Sequence, residues 1–69
     1  MIRWLELRRM RRAFRELPER DRVIFGSVRF DDLTYAEAAV RHGCSVGEVE
    51  CTVARVLLAL DRAADGRPR

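Results

Sequence analysis

The sequence predicts an all-α domain of four helices, with a helix-turn-helix over residues 34–60. Three observations carry that prediction. Two capping boxes stand one short helix apart, Thr34-Tyr35-Ala36-Glu37 and Ser45-Val46-Gly47-Glu48. In each, a hydroxyl accepts from an early backbone N–H and the acid three residues later reaches back to the cap's own N–H. Gly43 lies between them, where one helix must stop and the chain must turn at positive φ. The composition, 48% hydrophobic and 36% charged with two prolines and four glycines, suits a compact helical domain rather than disorder.

Residues 2–17 read as an amphipathic first helix. Leu7, Met10, Phe14 and Leu17 follow the spacing of a buried stripe, while Arg8, Arg11, Arg12 and Arg15 gather on another side. Pro18 ends this helix and can sit in the first turn of the next, where its missing N–H costs little. The second helix is expected over about 19–29, with Val23, Ile24 and Val28 in the core. Phe30-Asp31-Asp32-Leu33 connects it to the Thr34 cap. A short third helix follows over roughly 35–42, then a turn at 43–45 and a long fourth helix from 46. That is the spacing of a helix-turn-helix, whose second helix usually enters a DNA major groove. The expected domain is 1–64, a single helical unit, with 65–69 a frayed tail.

The charge is uneven. The chain has a formal net charge of +3 and every basic residue is Arg; Met1–Arg22 carries eight Arg against four acids. A basic first helix can approach nucleic acid, although a solvated helix face has the same composition. Cys44 and Cys51 do not make a disulfide framework, and no second Cys/His pair supports zinc, so no metal or other cofactor is expected and reduced cysteines in a cytoplasmic protein are the default. The longest apolar run, Val56–Leu60, is far too short to span a membrane, and Met1-Ile2-Arg3-Trp4 lacks the apolar middle of a signal peptide.

Three segments in order, Leu17-Pro18-Glu19-Arg20-Asp21-Arg22, Leu33-Thr34-Tyr35-Ala36-Glu37-Ala38-Ala39 and Val46-Gly47-Glu48-Val49, resemble region 4 of bacterial sigma factors, most nearly the extracytoplasmic-function group. That family's pattern is approximately Leu-Pro-x-x-x-Arg, Leu-Ser-Tyr-x-Glu-Ile-Ala and Val-Gly-Thr-Val-Lys-Ser-Arg, and the resemblance covers about residues 13–60. It implies a four-helix region 4-like fold that reads promoter-type DNA at the −35 element with the second helix of the helix-turn-helix and touches RNA polymerase. Region 2, which binds the polymerase core and melts the −10 element, has no counterpart here, so the likeness is to one domain and not to a complete sigma factor. Leu33, Tyr35, Val49 and Val53 are expected in the core, and Ala39 where two helices approach closely. Ala38 replaces the family's Ile, and His42 stands where an aliphatic is common and reads as a partly buried packing residue.

The segment that would read DNA departs from the family. Glu50 takes the usual Lys/Arg position and Thr52 a usual Arg position, leaving Arg55 as the remaining matched basic residue. An acid repels phosphate, although it can accept from cytosine. With Val49, Val53, Val56, Leu57 and Leu60 turned to the core, Cys51, Ala54 and Leu58 form a second apolar stripe at i, i+3, i+7. Either the first helix covers it, through Trp4 and Leu5, or it is a dimer or partner interface.

Two function classes follow. The first is a stand-alone DNA-binding module in transcription regulation, with contacts from Ser45, Gly47, Thr52 and Arg55 and from the Arg8, Arg11, Arg12 and Arg15 face on phosphate. The second is a protein-interaction module that has lost DNA reading. It would bind itself as a homodimer, RNA polymerase or an anti-sigma-type partner through Glu48, Glu50, Cys51, Ala54 and Leu58. An enzyme is not expected: His42 and Cys44 lie close along a turn without assembling a base and an oriented nucleophile, and there is no Gly-rich phosphate cradle.

Overall fold

The computed structural model describes residues 3–65 and contains α1 (Trp4–Glu16), α2 (Glu19–Arg29), α3 (Tyr35–His42) and α4 (Val46–Asp65). Residue 2, expected in the first helix, and residues 66–69 of the expected tail lie outside that range, while Asp65 is still helical.

Local chemistry explains the boundaries. The Arg3 N–H donates to Glu6 Oε1 at 2.9 Å and starts α1. Leu17 and Pro18 are extended and separate α1 from α2, as the restriction that proline places on its predecessor requires. After α2, Asp32 adopts φ 57°, a left-handed conformation that Asp tolerates better than most side chains. The Leu33 N–H donates back to the Ser27 carbonyl at 3.0 Å and closes the connector.

Both capping boxes form. Thr34 Oγ1 accepts from the Glu37 N–H at 3.0 Å, and Glu37 Oε1 accepts from the Thr34 N–H at 2.8 Å. The corresponding distances at Ser45 and Glu48 are 3.1 and 2.9 Å. Gly43, at φ 65° and ψ 40°, ends α3, with the Cys44 N–H donating to the Ala39 carbonyl and the Gly43 N–H to the Val40 carbonyl. This 6→1 and 5→2 pair is a Schellman closure, and it needs the left-handed residue that Gly supplies.

α4 is the central element, packing on α1, α2 and α3. It buries Val49, Thr52, Val53 and Val56, a single helical stripe, against Ile24 and Phe25 of α2 and Ala38 and Ala39 of α3. The two alanines lie at 0% and 6% exposure, where short side chains keep α3 close to α4. Leu33 and Tyr35 pack against this core as partly buried residues.

Some expected core positions differ. Val23 is exposed and Phe25 takes the buried place beside Ile24, because α2 turns its 24/25/28 side inward. Phe25 meets Phe14 tilted at 5.9 Å and Phe30 edge-on at 6.3 Å, favoured geometries for aromatic pairs. α1 buries none of its residues fully: Phe14 reaches the core, but Leu7 remains exposed. Leu57 is half exposed, since it lines an open groove between α1 and α2. His42 is partly buried, as expected, and sits 2.7 Å through Nε2 from Ser27 Oγ. Ser27 is buried and its hydroxyl donates to the Val23 carbonyl at 2.9 Å. Its single proton is thereby used, so the His42 Nε2–H donates to Ser27.

Candidate nucleic-acid interface

Most of the α4 candidates gather where that helix begins. Ser45, Gly47, Glu48, Cys51, Thr52 and Arg55 line a shallow cleft of about 350 Å³, together with Arg20 from the first turn of α2. The turn after Gly43 leaves the first residues of α4 exposed, and Gly47 has no side chain to hold a partner's backbone away. The two cations stand on different elements. Arg55 Nη2 donates to Asp21 Oδ1 at 3.0 Å and to Thr52 Oγ1 at 3.3 Å. Arg55 keeps 59% of its side chain exposed while Asp21 keeps 14%. This ion pair ties α4 to α2 and sets the direction of the guanidinium, which has five N–H donors in all.

Glu48 lies on the same cleft, but its carboxylate is engaged locally. The backbone N–H of Ser45, then the Ser45 hydroxyl, hold its pKa below the ordinary value, with the charge of Arg20 adding to the effect. An acid on the first turn also suits the positive end of the helix dipole. Its place near the interface therefore follows from capping α4.

Of the sequence-derived candidates, Ser45, Gly47 and Arg55 come together in this cleft. Thr52 lines it too, yet it is only 2% exposed and holds Arg55 from beneath; burial on the core stripe removes it from the set that can touch a base. The arginines of α1 are elsewhere. Arg11 and Arg15 border an apolar groove near Leu60, roughly 20 Å along α4 from Gly47 at 1.5 Å per residue. Arg12 pairs with Glu16 at 3.3 Å, and Arg8 stacks over Trp4 at 5.4 Å. All four are exposed, so they form a separate basic face. Arg20 is the residue that sequence reasoning missed; the Pro18 helix start placed it in the first turn of α2, but nothing local pointed it toward Ser45.

Cys51, Ala54 and Leu58 are exposed, as are Trp4 and Leu5. α1 therefore does not cover the second apolar stripe. It lies instead beside the other edge of α4, where Leu7, Met10, Phe14, Phe25, Phe30 and Leu60 enclose a groove of about 390 Å³. This surface was not legible as one feature in the sequence, because it draws on three helices.

Among the described residues, no group of three or more His, Cys, Asp or Glu is placed to hold a metal ion, and no helix is long and apolar enough to cross a membrane. Comparison with protein families gives a match to the model described as "Sigma-70, region 4" over residues 7–60. No curated protein and no solved structure matches the chain.

Proposed function

The chain belongs to the sigma-70 region 4 family of DNA-binding helix-turn-helix domains in transcription, and from that premise we propose that it binds promoter-type DNA as a module acting by itself. The observation that carries this reading is the convergence of Arg20 and Arg55, from two helices, on the capped, exposed start of α4. Ser45 and Gly47 bring the backbone of that helix start close to a phosphate, and the two guanidiniums supply the charge that phosphate requires. The exposed Arg8, Arg11, Arg12 and Arg15 face adds long-range attraction rather than contacts in the same groove. RNA polymerase is the protein partner included in this reading.

The test is charge reversal. Arg20→Glu should weaken binding to a fluorescent generic duplex several-fold in an anisotropy titration, while Arg62→Glu, near the far end of α4, should change it little. Equal effects of the two would contradict a localised interface.

A second reading has its own observation, the open stripe of Cys51, Ala54 and Leu58. In it the stripe is a self-association or partner surface bordered by Glu48 and Glu50. Leu58→Glu then abolishes a dimer seen by light scattering and leaves the helical circular dichroism unchanged. A wild-type monomer at all concentrations would remove the homodimer form of this reading.

A further inference from the structure

Glu50 is exposed on the outward edge of α4 and makes no hydrogen bond or ion pair with any described residue. This sets it apart from the acids around it. Glu48 and Glu37 cap helices, and Asp21 and Asp31 hold Arg55 and Arg41. On the same edge stand Gly47, Cys51 and Ala54, all exposed, opposite the buried Val49, Thr52, Val53 and Val56. Arg55 lies to the flank and is drawn back toward Asp21. In the first turns of α4, Glu50 is thus the exposed acid that neither caps a helix nor holds an arginine, and a carboxylate only accepts hydrogen bonds.

In the major groove, guanine and thymine offer acceptors, which repel a carboxylate. Adenine offers its amino donor beside the N7 acceptor, a pair that suits an amide better than an acid. Cytosine offers an amino donor without an adjacent acceptor, and Glu accepts from it. The short apolar side chains of Cys51 and Ala54, one and four residues further along, fit against a thymine methyl.

We propose that Glu50 is the specificity-determining residue of this helix, accepting from the N4 amino group of a cytosine next to a thymine. The inference rests on the DNA-binding reading above and deepens it. The carboxylate acts in two ways at once: it repels phosphate everywhere, lowering affinity for generic sequence, and it is compensated only where a cytosine amino group meets it. Discrimination by Glu50 therefore comes partly from rejection of other sequences.

The experiment is selection of bound duplexes from a randomised library by the 69-residue chain, followed by anisotropy titrations of the wild type, Glu50→Ala and Glu50→Gln. The titrations use the selected duplex and a copy in which the enriched C·G pair is replaced by T·A. The wild type should prefer the selected duplex by about tenfold, the low end of a good base contact. Glu50→Ala should bring that ratio close to one and, at the same time, bind generic duplex more tightly than the wild type. Glu50→Gln should move the preference toward A·T. A purely structural role would not give tighter generic binding with lost discrimination, and the thermal melt of these surface variants should stay close to the wild type. If the C·G preference is absent, or survives unchanged in Glu50→Ala, the inference is overturned while salt-sensitive binding to generic duplex keeps the DNA-binding reading. If no duplex is bound at any salt, both are overturned.

Discussion

Breaking the ion pair between Arg55 and Asp21 separates the structural role of Arg55 from its proposed role toward DNA. The pair spans 3.0 Å, with Asp21 mostly enclosed and Arg55 largely exposed. Fully exposed pairs contribute about 0.2–1 kcal/mol, and removing one partner of a fully buried pair costs about 3–5 kcal/mol. With one partner on each side of that divide, the coupling should be about 1 kcal/mol. Arg55→Met keeps the aliphatic stem but leaves the Asp21 carboxylate without a partner, and should cost about 1–2 kcal/mol. Asp21→Asn keeps an acceptor of the same shape and should cost about 0.5–1 kcal/mol. For a domain of this size each kcal/mol lowers Tm by about 4–8 °C. The assay is a double-mutant cycle by thermal and urea unfolding. A coupling below about 0.3 kcal/mol, within ordinary additivity, would refute the claim that this pair ties α4 to α2. The same proteins divide cleanly in DNA titrations. Arg55→Met should make the slope of log affinity against log salt shallower by about 0.9, one phosphate contact. Asp21→Asn should keep the slope and tighten binding, since a negative charge beside the cleft is gone.

Two further outcomes follow from the interior and the cap. Ser27→Ala should destabilise by about 1–2 kcal/mol, because it leaves the His42 Nε2–H without its acceptor. His42→Leu should cost less, since Ser27 retains its bond to the Val23 carbonyl; urea unfolding that ranks them the other way would contradict the proton assignment. Glu48 has a folded pKa below its ordinary 4.5, so its stabilisation is complete above that value and disappears as pH falls through the lowered one. Stability of the wild type should therefore decline more steeply than that of Glu48→Gln below about pH 4.5, measured by melts across acid pH; parallel declines would contradict it.

The helix boundaries were legible because their causes are local. A hydroxyl, an acid three residues on, a glycine and a proline act on their immediate neighbours, and α2, α3 and the start of α4 begin where those residues stand. The side that each helix buries depends on neighbours distant in sequence, and there the periodicity misled. Val23 and Leu57 satisfy a helical stripe but face solvent or an open groove, whereas Phe25 and Thr52 take the buried places. The candidate interface divides in the same way. Ser45 and Gly47 followed from the capped turn, while Arg20 and the anchoring of Arg55 to Asp21, 34 residues away, depend on how α2 packs against α4. The arginines of α1 were expected to add phosphate contacts, and packing beside the other end of α4 sets them apart from the cleft.

The central claim, that this chain holds DNA through the start of α4, is tested most directly by the salt dependence of its binding to a generic duplex. Two phosphate contacts, from Arg20 and Arg55, predict a slope of about −1.8 in log affinity against log salt. Affinity should accordingly fall about twelvefold between 50 and 200 mM salt. Anisotropy that shows no binding at low salt, or binding indifferent to salt, would contradict the account.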